Sequence, residues 1–245
     1  MRGEQELGWG QRADRVAKHN KKVTGPCTYC KTKAVLTRDH VVPQCLFGGR
    51  LPPDIPVVYA CDDCNHRKKS RLDTYLQHML LCDLDTYNHP TARKLFDGAF
   101  ARALNRNQPR LARHVRTRLR PVELVTPSGL YAGMAYEAPL PHGQVTDVLS
   151  MMVRGLHLHY TGDRLPEDIA WTVHRVRNVP DAQQIVNVAL ALGRLRHESV
   201  GDGTIFTCTF GVEPGDPALS LWWLTFYRSP NSPGAIYHVT TKAAA

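Results

Sequence analysis

Cys27-Thr-Tyr-Cys30, Asp39-His40-Val41-Val42-Pro43 and Cys61-Asp-Asp-Cys64-Asn65 fall in one stretch, residues 27–65, and their spacing decides how the N-terminal half folds. Two Cys-x-x-Cys pairs supply four thiolates, the complete tetrahedral shell of a structural zinc ion. Such a site closes the chain between Cys30 and Cys61 and contributes on the order of 10 kcal/mol to folding. The chain has seven cysteines, and an odd number with no secretory leader argues against a disulfide framework. Cys45, Cys82 and Cys208 stand apart from the pairs and read as small buried side chains or free thiols.

Working outward, Val35-Leu36-Thr37-Arg38 reads as a strand leading into Asp39-His40. Gly48-Gly49 and Pro52-Pro53 mark a loop, and Ile55-Pro-Val-Val-Tyr59 a second strand. After Cys64 the apolar residues Leu72, Tyr75, Leu76, Met79 and Leu80 fall on one helical face. A further helix is expected over 91–105, with Leu95, Phe96, Ala99, Phe100 and Ala103 buried. Another is expected from Pro109 to just before Pro121, where Leu111, Val115 and Leu119 form a stripe opposite Arg113, Arg116 and Arg120. Beyond residue 121 the pattern is α+β without a chemical motif. Helices are expected over 151–159 and 182–196, and strands over 204–210, 219–227 and 236–241. His157 and His159, two apart, do not share a helical face, and Trp222 and Trp223 read as core and interface bulk.

With 42% hydrophobic and 22% charged residues the chain has the composition of a folded globular protein, which argues against disorder. No apolar run is long enough for a membrane helix, and the N-terminus lacks a signal-peptide core, so no membrane partner and a cytoplasmic location are expected. The net charge of +9 is unevenly placed. Residues 1–120 carry 23 basic and 11 acidic side chains, the rest 8 and 11. Residues 91–120 alone hold nine basic side chains and one acid, Asp97. That concentration of positive charge costs self-repulsion, which a phosphate backbone relieves, so nucleic acid is the expected partner and a solvated basic surface the plain alternative.

The ordered set Cys27/Cys30, Asp39-His40-Val41-Val42-Pro43 and Cys61/Cys64 followed by Asn65 and Lys69 resembles the HNH endonuclease family, in its zinc-containing ββα-metal form. Leu46-Phe47, Ala60-Cys61 and the helical tail to Asp83 extend a looser likeness to bacterial stand-alone HNH proteins. The resemblance implies a metal-dependent nuclease whose ββα hairpin and helix gather a catalytic site. It implies double-stranded DNA as the substrate, 5′-phosphate and 3′-hydroxyl products, and defence against phage as a setting.

The chemistry suits these residue types. Phosphodiester hydrolysis needs a base to take a proton from water and a divalent cation such as Mg²⁺ to offset charge on phosphate and leaving oxygen. His40 titrates near neutrality and suits the base. Asp39 and Asn65 offer hard oxygen ligands to the cation, with His66 as an alternative ligand, and a helix N-terminus favours phosphate. The family's middle residue is usually an Asn that orients the base, but residues 41–60 contain none. Asp54 stands where it is expected and would accept the imidazole N–H. Arg67, Lys68, Lys69 and Arg71, with Arg113, Arg116 and Arg120, are the candidate phosphate contacts.

Each residue also has a plainer reading: Asp39 a turn residue, His40 a buried hydrogen-bonded histidine, Asn65 a helix cap. The expected organisation is a basic arm (1–26), an HNH zinc module (27–90), a basic helical extension (91–120) and a C-terminal α+β domain (121–245). The last would supply homodimerisation, partner docking or substrate choice. The competing functions are a zinc-stabilised nucleic-acid-binding module without hydrolytic activity and an adaptor in which zinc is only a staple.

Overall fold

Val41 and Val42, which follow Asp39-His40 directly, are fully buried, and what buries them explains the architecture. The computed structural model describes residues 23–102, 113, 117, 120–126, 128–137, 142–176, 183, 186–187, 190 and 194–244. Strands β1 (Val23–Pro26), β2 (Lys33–His40) and β3 (Val57–Cys61) form an antiparallel sheet in that order. β1 lies within the stretch expected as an arm, and residues 1–22 lie outside the described residues. β3 starts at Val57 rather than Ile55 because Pro53 and Pro56 have no N–H to give a ladder. Pro56 serves only as an acceptor, its carbonyl taking the Val41 N–H at 2.9 Å.

A 3-10 turn, Gln44–Phe47, links β2 to the loop and stops at Gly48, whose φ of 65° places it in the left-handed region that glycine enters without strain. After β3 the chain is helical at once. Asp63–Lys69 has π geometry and runs into α1 (Ser70–Leu81), whose expected face is present with Leu76, Met79 and Leu80 buried. α2 (Pro90–Leu95) passes into a π-helical turn, Phe96–Phe100, where the first of the two basic helices was expected. Of the second, Arg113 and Thr117 are helical, whereas Arg120 is the first residue of strand β4 (Arg120–Val125), paired with β5 (Tyr131–Glu137). Pro121 and Val122 favour extended backbone over helix. The rest of that helix, Arg116 included, lies outside the described residues.

The C-terminal half is a long helix, α3 (His142–Thr161), on a five-stranded antiparallel sheet of order β6-β10-β9-β8-β7. Those strands are β6 (Ile169–Val176), β7 (Arg196–Val200), β8 (Phe206–Glu213), β9 (Asp216–Phe226) and β10 (Ala235–Ala243). β9 alternates strictly, with Ala218, Ser220, Trp222, Leu224 and Phe226 buried. Trp222 stacks on Phe210 at 4.5 Å, a core role as expected. His157 is buried and bonds the Asp163 carbonyl at 3.0 Å, which makes it a structural histidine. The helix expected over 182–196 is helical at Gln183, Val186, Asn187 and Leu190, but Arg196 already belongs to β7. No helix among the described residues is long and apolar enough to cross a membrane.

The boundary expected after residue 90 does not divide the core. Val41, Val42, Leu46, Leu76 and Leu80 share one hydrophobic cluster with Val148, Leu149, Met152, Phe206, Trp222 and Tyr237. α3 packs on α1 and β3 as well as on β6 and β10. Polar ties cross the same line. Tyr227 Oη donates to the Leu46 carbonyl at 2.8 Å, and Arg175 reaches the carboxylates of Asp83 and Asp85 at 3.1 and 2.6 Å. Arg164 donates to the carbonyls of Cys27 and Pro26 at 2.8 and 3.0 Å.

Gly155 marks the closest approach: a Cβ there would lie 2.8 Å from both Val41 methyls. Gly155→Ala should therefore push Val41 aside and cost a net of about 1–2 kcal/mol, overpacking outweighing the better helix propensity of alanine. A denaturant midpoint equal to or above wild type would show that the contact relaxes freely.

Candidate active site and metal centre

The four paired cysteines converge, their sulfurs within 4.8 Å of one another. Cys27 and Cys30 sit on the turn between β1 and β2, Cys61 ends β3, and Cys64 lies in the first helical turn. That turn is closed by Lys31 N–H to Cys27 O and Cys27 N–H to Thr32 O, each 3.0 Å, with Lys31 at a φ of 57°. The N–H groups of Tyr29 and Cys61 donate to Cys27 Sγ at 3.4 and 3.3 Å. Burial works against ionising Cys30, but hydrogen bonds from Thr32 and the neighbouring thiols bring it down to about 7. Burial and the neighbouring thiols push Cys64 up. A cation reverses that second tendency by holding the sulfurs as thiolates. Four sulfur donors at this spacing fit zinc. Burial pushes the other three thiols up, to about 12 for Cys45, 11 for Cys82 and 12 for Cys208, which disfavours their thiolates.

Asp39 and His40 end β2, so their side chains leave opposite faces of the sheet. Asp39 turns inward and is 5% exposed. Tyr29 Oη donates to its Oδ2, and Lys69 Nζ lies 3.5 Å from its Oδ1. Burial first, then the nearby Asp39, pushes the Tyr29 hydroxyl well up, which keeps it a donor. Lys69 is the largest departure from expectation. It is 1% exposed and is no phosphate contact. Its ammonium donates to the His40 carbonyl and to Asp73 Oδ2, each at 2.8 Å. Burial pushes the Asp73 carboxyl up to about 6 against the pull of Lys69.

Asn65 makes the companion contact. Its Nδ2 donates to Thr37 Oγ1 and to the Arg38 carbonyl, both at 3.0 Å. A carbonyl can only accept, so the amide orientation is fixed and Oδ1 is the end left to serve a ligand. Asn65 and Lys69 are four apart on the helix, and they grip carbonyls two apart on β2, about 6.6 Å. The helix is thereby stapled to the strand on either side of Asp39. Asn65 is no cap: it is the third residue of a π-helical stretch, and the Ser70 N–H donates to its own carbonyl. π-helical turns of this kind commonly mark functional positions.

Lys69→Met would strand Asp39 and Asp73 without their shared cation. We expect a loss of about 3–5 kcal/mol, part of it recovered in Lys69→Met/Asp73→Asn, read as shifts in denaturant midpoint. A single variant as stable as wild type would mean that the carboxyls are neutralised some other way.

Burial, then the positive charge of Arg38, lowers the half-buried His40 imidazole below its usual range, with Asp39 opposing. That shift favours the neutral form of the ring, the form able to take a proton. Asp54 does not orient it. Both Asp54 carboxylate oxygens accept from the Gly201 N–H at 3.0 Å, a tie to the loop after β7. The side chain at His40 Nδ1 is Gln44.

His66 is not gathered with Asp39 and Asn65. It points to solvent and pairs with Asp62 at 2.7 Å. Arg67, Lys68 and Arg71 are exposed on the same helix, the first two 4.0 and 3.4 Å from Asp63. Arg113 is exposed, as is Arg120 on β4.

Residues 27–81 match the HNH endonuclease family model. The match runs from the first zinc-type cysteine to the last residue of α1, so the HNH segment contains Tyr29, Asp39, His40, Gln44, Asn65, Lys69 and Asp73. No curated protein and no solved structure matches the chain. An HNH segment implies nuclease or other nucleic-acid chemistry, and its thiol cluster is able to bind a metal ion. Gln44, Tyr29, Thr37 and Asp73 were not legible in the motif. The four-residue steps from His40 to Gln44 and from Lys69 to Asp73 hinted at two of them.

Proposed function

We propose that the protein is a metal-dependent HNH-type endonuclease that hydrolyses phosphodiester bonds in nucleic acid, with double-stranded DNA as the preferred substrate and His40 as general base. The observation that carries this reading is the half-buried His40 imidazole next in sequence to Asp39 at the end of β2, the strand that Asn65 grips. Asp39 and Asn65 offer hard oxygen donors that fit a divalent cation such as Mg²⁺. When bound, such a cation offsets negative charge on the phosphate and on the departing oxygen.

The side chains supply the rest. His40 takes the proton of the water whose oxygen attacks phosphorus. The bond from phosphorus to the 3′-oxygen breaks, that oxygen takes a proton from solvent water, His40 returns its proton to solvent, and 5′-phosphate and 3′-hydroxyl ends result. Lys69 and Tyr29 fix the Asp39 carboxylate. Arg67, Lys68 and Arg71, with Arg113, Arg116 and Arg120, provide phosphate contacts. The Cys27, Cys30, Cys61 and Cys64 thiolates hold zinc and set where β3 hands over to the helix.

One observation favours a second reading. The Lys69 ammonium already accompanies Asp39, as it would in a zinc-stabilised nucleic-acid-binding module where lysine replaces the catalytic cation. Plasmid incubated with the purified protein in Mg²⁺, Mn²⁺ or EDTA separates the two. Nicking that EDTA abolishes is expected, and binding without nicking under any metal would leave the binding module.

A further inference from the structure

We infer that Gln44 is the positioning residue of His40, its amide oxygen accepting Nδ1–H so that Nε2 is the nitrogen left to take a proton. The inference rests on the hydrolytic reading of His40 given above.

The Gln44 side-chain amide meets His40 Nδ1 directly, with Nε2 the amide atom toward the ring, and a half-turn of the amide puts Oε1 in its place. Gln44 is exposed, so burial of its side chain does not bring about the contact. The backbone sets it up instead. Pro43 precedes the 3-10 turn with extended ψ of 124°, and the Leu46 N–H closes that turn on the Pro43 carbonyl at 3.1 Å. Residue 44 thereby opens the turn directly after the Val41-Val42-Pro43 segment that follows His40.

The frame beneath is rigid. Val41 and Val42 are fully buried, Val41 N–H is tied to Pro56, Gly155 of α3 abuts Val41, and Tyr227 holds the Leu46 carbonyl. Both ring and amide are therefore presented from a segment with little freedom, and the contact recurs each time the chain folds.

A side-chain amide can meet imidazole in two ways related by a half-turn that leaves its shape unchanged. If its nitrogen donates to Nδ1, the ring proton sits on Nε2 and no basic nitrogen faces away from Gln44. If its oxygen accepts from Nδ1–H, Nε2 carries the lone pair. Only the second arrangement leaves a base on the far side of the ring, and that is where a substrate water must approach. Fixing a histidine tautomer through the hydrogen bond at its other nitrogen is a general device. Asp54, the expected orienter, is committed to Gly201, and no other side chain among the described residues contacts Nδ1.

The test uses the full zinc-loaded chain labelled with ¹⁵N. Long-range ¹H–¹⁵N correlation of the His40 ring, assigned by its loss in His40→Ala, reports which nitrogen carries the proton. Wild type is expected to be the Nδ1–H form. Gln44→Leu, similar in size but unable to accept, should move the ring toward Nε2–H and lower kcat for plasmid nicking about 10–100-fold with KM unchanged. Gln44→Glu, which can only accept, should restore the Nδ1–H form and most of the lost kcat. Zinc content and near-ultraviolet circular dichroism check that both variants keep the fold. An Nε2–H ring in wild type, or a ring indifferent to Gln44→Leu, overturns the inference. The expected tautomers in a wild-type protein that never nicks uphold the positioning role and overturn the hydrolytic reading alone.

Discussion

His40→Ala should lower the rate of plasmid cleavage by roughly 10²–10⁴-fold while leaving zinc content and stability close to wild type. The size of the loss is that of a general base removed from an otherwise assembled site. The substitution is clean because the structural duty of residue 40 lies in its main chain. The carbonyl that accepts from Lys69 and the β2 pairing to Val57 survive in alanine. Asp39, Asn65 and Lys69 therefore keep their partners, and the lost activity reports the imidazole. A His40→Ala protein that retains zinc and cleaves at the wild-type rate would remove His40 from the mechanism whatever the protein does.

Zinc removal should be felt much further from its site than the HNH match extends. A structural zinc contributes on the order of 10 kcal/mol, comparable with the whole stability of a typical domain, about 5–15 kcal/mol. In a divided chain the loss would stop near residue 90. Here the thiol-bearing turn is also the acceptor for Arg164, and the residues beneath β2 and α1 are continuous with those beneath α3 and the five-stranded sheet. A strong chelator should therefore unfold the chain in one step. In a Trp9→Phe background the remaining tryptophans, Trp171, Trp222 and Trp223, all lie in the C-terminal half. Their fluorescence should change together with far-ultraviolet circular dichroism as metal is withdrawn. Tryptophan emission that stays native while helical signal is lost would show that the halves fold independently.

These expectations draw unequally on sequence and structure. The cysteine spacing, the Asp39-His40 strand end and the α1 stripe were legible because each is local: a ligand spacing, a period of two, a period of 3.6. Strands β8 and β9 were placed to within a few residues because Thr, Phe and Trp crowd into them, and β10 because Ile, Tyr, Val and Thr follow a Pro-Gly turn. What stayed hidden depends on contacts between residues distant along the chain. Lys69 reads as a surface cation in a basic run and becomes a core ammonium only because Asp39 and the His40 carbonyl are brought against it. Asp54 has the right sequence position to serve His40, but the folded loop carries it to Gly201. Arg120 continued the arginine rhythm of a helix, yet Pro121 follows and the backbone turns to strand. The shared core could not be read because amphipathic faces say that burial occurs but not against what.

The double grip of Asn65 and Lys69 on β2 also works as a ruler. Adding one residue between Cys61 and Cys64 would turn the following helix by about 100°, carrying both side chains off the strand together. The same insertion would pull Cys64 from the other sulfurs. The spacing that lets the chain hold a metal ion and the spacing that seats Asp39 are thus a single length, and drift in one cannot be repaired without the other. The turn at 48–50, exposed to solvent and carrying neither grip, is where the segment is free to lengthen.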